Sequence, residues 1–250
     1  MPTDEIIRDC VARARNRTDL WTSFLKQVQA LRVAEVGVYK GDFAAAVLRQ
    51  CDLIEAYYML DPWRSLDDWN KPANVEDDIF AQYLRETLEK TEFAAEKRII
   101  LRGKTTEIVD KIPDGDLDFA YIDADHTLRG ITIDLIRLLP KVRDGGWIGG
   151  DDFTRSIWQH ATAYEPTLVF PFAVYFAEAV GARIYALPYG QFLMQKGNGG
   201  EFAFIDLDGR YDDTTLRDQL HPDRFLKMRL AEAFPSLHRL AGRVKRMAGR

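Results

Sequence analysis

The feature that most constrains this chain is a regular alternation of short apolar runs with helical stretches. Val33–Val38, Leu53–Leu60, Arg98–Leu101, Leu117–Ile122 and Gly146–Gly149 are short and β-rich. Asp42–Gln50, Thr105–Lys111, Leu128–Leu139 and Leu168–Val180, which separate or follow them, have helical spacing. A run that stays apolar along most of its length, as Leu53–Leu60 does, suits a strand buried on both faces. Repeated β-α units predict an α/β fold, a mostly parallel sheet with helices on both faces. Ala182–Ala186 and Gln191–Gln195 flank Pro188-Tyr189-Gly190 and predict an antiparallel hairpin that closes the sheet at seven strands.

Ahead of the first strand, Asp4–Arg15 and Thr18–Leu31 are predicted helices. Thr18 is read as an N-cap, and Leu20, Trp21, Phe24, Leu25 and Val28 form the apolar stripe. Residues 62–91 and 151–166 fall outside the alternation. Both follow the carboxyl ends of strands, where open α/β sheets bind ligands, and they are expected to be lids or substrate walls. The organisation predicted is an N-terminal helical segment, 1–31, a ligand-binding domain, 32–197, and a C-terminal extension, 198–250. From His221 onward eight Lys or Arg stand against two Asp or Glu, although the whole chain carries a net charge of −5. There Phe225, Met228, Leu230, Ala233 and Phe234 give a basic amphipathic helix its apolar face, and Leu237, Leu240 and Val244 extend it. Such a face needs cover, expected from its own domain or from a second subunit, so a homo-oligomer through the terminal helices is one reading. Contact of this basic helix with a membrane surface is the lesser alternative.

Several function classes fall away. The acidic body argues against a nucleic-acid partner. No apolar run approaches the ~18 residues of a membrane span. Met1–Asp19 is charged and lacks a signal core, and the two cysteines, Cys10 and Cys51, make neither a disulfide framework nor a metal-ligand spacing. A reducing, cytoplasmic location is the expectation.

The first strand leads into Glu35-Val36-Gly37-Val38-Tyr39-Lys40-Gly41. Glycines serve where backbone turns tightly against a ligand. The dinucleotide pattern G-x-G-x-x-G is absent, which disfavours a nicotinamide oxidoreductase. Glu35, two residues before the first glycine, would repel a pyrophosphate and suits a positively charged amino group. Asp61, at the tip of the second strand, is placed to accept from a ribose diol, or else simply ends the strand in an Asp-Pro turn. Together they favour a nucleoside carrying a cation.

Glu35, Gly37, Gly41 and Asp61 resemble the cofactor site of class I S-adenosylmethionine-dependent methyltransferases, over roughly Val33 to Lys196. The resemblance implies a Rossmann-like fold whose seventh strand is antiparallel. It also implies cofactor contacts from Glu35, Gly37, Val38, Tyr39, Gly41, Asp61, Pro62, Trp63, Gly103, Thr105 and Asp123. Tyr39 stands where the common motif has its middle glycine, and Arg102-Gly103-Lys104-Thr105 lacks the acidic residue that often meets the adenine end.

The fourth strand ends in Asp123-Ala124-Asp125-His126 and the fifth in Asp151-Asp152-Phe153. Neighbouring strand ends lie about 5 Å apart, so Asp123, Asp151 and Asp152 can converge. Carboxylates that close repel, and a hard cation such as Mg²⁺ relieves them. Capping of the next helix is the competing reading. Asp123-x-x-His126 with Asp151-Asp152 is similar to the site of metal-dependent O-methyltransferases, closest to the macrolide-sugar type. The catechol and caffeoyl-CoA types have Lys where His126 stands and Asn where Asp152 stands. The resemblance implies a divalent cation held by Asp123, Asp151 and Asp152, with His126 as general base. His160 is a weaker candidate, and His221 and His238 are read as bystanders.

The expectation is therefore S-adenosylmethionine-dependent O-methylation of a hydroxyl on a small molecule, such as a sugar, glycoside or phenolic natural product. Trp63, Trp69, Phe80, Tyr83, Phe153 and Trp158 are read as substrate walls, or as packing of the lids against the body. The alternatives are a metal-independent enzyme using His126, or a non-catalytic nucleotide-binding protein on the same fold.

Overall fold

Tyr57, Tyr58, Met59 and Leu60 are all buried in the computed structural model, because their strand has neighbours on both edges and helices over both faces. The structure describes residues 3–197, 200–211 and 222–234. In chain order the helices are α1 (Thr3–Arg13), α2 (Arg17–Gln27), α3 (Asp42–Gln50), α4 (Asp77–Lys90), α5 (Thr105–Ile108), α6 (Leu128–Leu138), α7 (Val169–Ala179) and α8 (Pro222–Ala233). The strands are β1 (Arg32–Val36), β2 (Ala56–Asp61), β3 (Arg98–Arg102), β4 (Leu117–Ile122), β5 (Val142–Gly150), β6 (Arg183–Leu187), β7 (Gln191–Gln195) and β8 (Ala203–Asp206).

The sheet order is β3-β2-β1-β4-β5-β7-β6-β8. Strand β7 runs antiparallel to β5 and β6, as the predicted hairpin requires, and the other pairings are parallel. The sheet has eight strands rather than seven, because Ala203–Asp206 adds to the outer edge of β6. Alternation along β4 divides the core: Phe119 and Tyr121 face Leu20, Trp21, Phe24 and Phe43, whereas Ala120 and Ile122 face Ile131, Leu135 and Ala173. Helices α1–α3 thus cover one face and α5–α7 the other.

Some boundaries differ from expectation for local reasons. The N-cap of α2 is Asn16, whose side chain accepts the Asp19 N–H, so the helix begins one residue before Thr18. Residues 62–91 are not wholly an insertion. Their second half is α4, the crossover from β2 to β3, and Thr87 on it is buried against Gly41. Among the described residues no helix is long and apolar enough to cross a membrane. Within the tail, Phe225, Leu230 and Phe234 are exposed on or beside α8, while Leu237, Leu240 and Val244 lie outside the described residues, as do His221 and His238.

Candidate functional site

The carboxyl ends of β1, β2, β4 and β5 are tied into one rim by backbone bonds. Gly37 N–H donates to the Leu60 carbonyl (2.9 Å), Asp123 N–H to Val36 (2.8 Å) and Asp151 N–H to Ile122 (3.0 Å). Gly37 has φ +87°, and a Cβ there would lie 2.1 Å from the Asp123 carbonyl oxygen. Only glycine tolerates that approach and that conformation. Tyr39, at the usual middle-glycine position, also has positive φ (+54°). Its half-exposed ring meets Tyr83 edge-on at 4.6 Å.

Asp61 organises this turn. One carboxylate oxygen accepts the N–H groups of Val38 (3.0 Å) and Tyr39 (2.9 Å), and the other accepts Trp63 N–H (2.7 Å). Burial outweighs these three bonds and pushes its pKa up to about 6. Trp63 is fully buried, and its indole donates to the Tyr39 carbonyl at 2.9 Å. Pro62 presents its carbonyl to Arg102 at 3.3 Å, and Gly103 N–H donates to the Asp61 carbonyl at 3.0 Å. Glu35 is buried beneath the turn, accepts the Tyr57 hydroxyl at 2.7 Å, and is held well above the usual carboxylate range by burial. Thr105 donates its hydroxyl to Asp134 at 2.6 Å.

The loop after β4 is shaped by its own side chains. Asp125 accepts Thr127 N–H (3.0 Å), and Thr127 caps α6 by accepting Gly130 N–H (3.1 Å). Capping of α6 thus falls to Thr127, with Asp125 shaping the turn before it, and Asp123 is left facing the cleft. After β5, Asp152 adopts φ +58°, which sends it and Asp151 in different directions. Asp152 lies 2.7 Å from His126 Nε2, and Asp123 lies 3.6 Å from the same atom. Ligand atoms of Asp123, His126 and Asp152 all fall within 4.8 Å of one another. The Nε2 contacts are close but lack hydrogen-bond direction, so a buried ring nitrogen converges on two carboxylates without a formed hydrogen bond. Burial alone would depress the His126 pKa, but Asp123 and Asp152 override it and hold it near 10. Asp152 moves the other way: burial raises it, and His126 with Gln159 brings it below the ordinary carboxylate value.

Asp151 differs from its expected place. It pairs with Arg17 at the start of α2, and its other oxygen accepts Gln191 Nε2 at 2.6 Å. Burial, then Asp123 and Asp152, raise its pKa to about 6. The cluster that forms is Asp123, His126 and Asp152, in place of the three aspartates expected. Arg17 also reaches Asp123 at 3.1 Å. Gln191 is itself held by Trp21 Nε1 (2.7 Å) and the Tyr121 hydroxyl (2.8 Å). Arg17 and Gln191 were not anticipated. Arg17 lies 106 and 134 residues from its two acidic partners, and no local pattern marks it.

The two loops beside the cluster are clasped together. Lys71 Nζ donates to the Glu165 carbonyl (2.9 Å), and Asn70 Nδ2 to Ala163 (2.9 Å). Burial lowers the pKa of Lys71, and burial with Lys71 lowers that of His160. Of the expected substrate walls, Trp63, Phe80 and Phe153 are buried, whereas Trp69, Tyr83 and Trp158 keep partial exposure.

Residues 34–153 match the family model described as "Methyltransferase domain". Solved structures share the fold. An O-methyltransferase from Bacillus cereus in complex with SAH is 16% identical, with TM-score 0.53, covering 78% of this chain and 91% of that one. The O-methyltransferase TomG from Streptomyces achromogenes in complex with SAM is 13% identical, with TM-score 0.52, covering 75% and 82%. The O-methyltransferase NovP is 16% identical, with TM-score 0.51, covering 77% and 78%. No curated protein sequence matches this chain. Residues 34–153, with the glycine turn after β1 and the acidic tip of β2, thus match a methyltransferase domain, and the sheet, with its antiparallel β7 between β5 and β6, has the fold of these O-methyltransferases.

Proposed function

We propose that the protein transfers a methyl group from S-adenosylmethionine to a hydroxyl of a small, oxygen-rich acceptor, with a divalent cation at Asp123, His126 and Asp152. The observation that carries this reading is the convergence of those three side chains beside the glycine turn. The donor set fits a hard cation: two carboxylates and one imidazole nitrogen that lacks a formed hydrogen bond. Such a cation, when bound, polarises a hydroxyl and lowers its pKa.

The chain's own groups supply the rest. With a pKa near 10, His126 holds its proton at neutral pH, so its Nε2 lone pair becomes available only when positive charge beside it displaces that proton. This favours the metal-dependent reading over His126 acting alone. That lone pair would then be taken by the cation, so the acceptor hydroxyl would give up its proton to water rather than to His126 Nε2. The glycine turn and Asp61 hold the nucleoside end, which leaves alignment of donor and acceptor to supply much of the rate. The clasp between Asn70–Lys71 and residues 163–166 holds the two loops together beside the cluster. Trp69 Nε1 and Trp158 Nε1 are buried donors without partners, which supports an acceptor bearing several oxygens, such as a sugar or a polyhydroxylated phenol.

The test is calorimetry with S-adenosylhomocysteine, then with Mg²⁺ in its presence, on wild type and Asp152→Asn, followed by turnover across sugars and phenols with and without EDTA. Saturable S-adenosylhomocysteine binding is expected. Mg²⁺ affinity is expected to fall on the order of tenfold or more in Asp152→Asn. Turnover indifferent to EDTA would remove the metal, and no binding of S-adenosylhomocysteine would remove the methyl-transfer reading altogether.

A further inference from the structure

We propose that Arg17 is a tethered cation that sets the metal affinity of this site by holding Asp151 out of the ligand set. The inference rests on the metal reading above and adds a residue from outside the methyltransferase domain.

Arg17 is delivered by a rigid element. It is the first residue of α2, which Asn16 caps and which Trp21, Phe24 and Leu25 anchor in the core. Its Nη1 lies between Asp123 Oδ2, at 3.1 Å, and Asp151 Oδ2. Both Asp151 oxygens are engaged: Oδ2 by Arg17, and Oδ1 by Gln191 Nε2 (2.6 Å) and the Asp152 N–H (2.8 Å). Asp123 is divided between two cations, with Oδ2 on Arg17 and Oδ1 turned to His126. Asp152 has no contact with the guanidinium; His126 and Gln159 are its side-chain partners. The arginine therefore splits three neighbouring carboxylates into a pair it neutralises and a pair facing His126, with Asp123 common to both.

Two consequences follow for a divalent ion. A fixed positive charge beside Asp123 opposes the ion directly, and Asp151 cannot turn toward it while Arg17 and Gln191 hold both its oxygens. The Arg17 side chain is 41% exposed, so its guanidinium can move into water, and the largely buried Asp151 carboxylate it leaves then lacks its cation. Removing the guanidinium frees Asp151 as a further oxygen ligand.

The experiment is Mn²⁺ calorimetry on the full chain. It compares wild type, Arg17→Gln, Arg17→Lys, Asp151→Asn and the Arg17→Gln/Asp151→Asn double variant, with S-adenosylhomocysteine binding as the check on folding. Arg17→Gln is expected to tighten Mn²⁺ by about tenfold or more, because a like charge is removed from a partly buried site. Arg17→Lys keeps the charge and stays within about threefold of wild type. In the Asp151→Asn background the gain from Arg17→Gln shrinks to about threefold or less, which shows that Asp151 is the group released. Equal Mn²⁺ affinity in wild type and Arg17→Gln overturns the inference and leaves the metal reading standing. A gain undiminished by Asp151→Asn also overturns it. Absence of Mn²⁺ binding in every variant removes both.

Discussion

Asp134→Asn gives the sharpest test of the electrostatics beneath the site. Asp134 sits on α6, buried, with the Thr105 hydroxyl donating to it at 2.6 Å. Burial pushes its pKa up to about 7, with Asp125 adding to the effect, whereas its ordinary value is 3.8. A carboxyl whose folded pKa exceeds its unfolded pKa favours the folded state at low pH. That contribution is complete below about 4 and disappears as pH rises through about 7. At 1.36 kcal/mol per pH unit, the gap corresponds to about 4 kcal/mol by pH 8. The asparagine keeps an oxygen for Thr105 and carries no charge at any pH. Wild type and variant should therefore have similar stability near pH 4, and the variant should be the more stable by up to about 4 kcal/mol at pH 8. Urea unfolding at pH 4, 6 and 8 in the absence of ligand reads this directly as a midpoint difference that widens with pH. Parallel stability profiles for the two proteins would refute the reasoning.

Other expectations follow from the same contacts. Gly37→Ala forces a Cβ to within 2.1 Å of the Asp123 carbonyl and a side chain into positive φ. It should abolish measurable S-adenosylhomocysteine binding and destabilise the fold by at least about 1–2 kcal/mol, checked by calorimetry and thermal unfolding. Trp21→Phe removes the indole donor to Gln191 and part of the ring that Gly149 packs against. A loss of about 1–2 kcal/mol is expected in urea unfolding; unchanged stability would mean that Gln191 is held by Tyr121 alone.

The shape of the adjacent glycines Gly149 and Gly150 shows how local sequence serves the tertiary arrangement. A Cβ at Gly149 would lie 2.4 Å from the Trp21 ring, and one at Gly150 would lie 2.5 Å from the Ile122 carbonyl. Small residues at the end of β5 let α2 press close to the sheet, and that closeness is what brings Arg17 to Asp123 and Asp151. In the sequence the two glycines read only as part of a short strand.

The sequence by itself determined the α/β class, the antiparallel hairpin, the glycine turn and the acidic strand tips, because each is written in residues close along the chain. Periodicity marks a buried strand, and the one-residue spacing of Asp151 and Asp152 places both at one strand end. It also carried the pairing of Asp123 with His126, since three residues across a strand-to-helix turn keep them neighbours. Tertiary structure alone decided which carboxylates group together. The positive φ of Asp152 turns it toward His126, while Asp151 is drawn to Arg17 and Gln191. Likewise only the fold shows that Asp61 clasps three backbone N–H groups and that α4 bridges β2 to β3. Those outcomes depend on partners far away in sequence, where the favourable energy comes from burial and charge pairing rather than from any local preference.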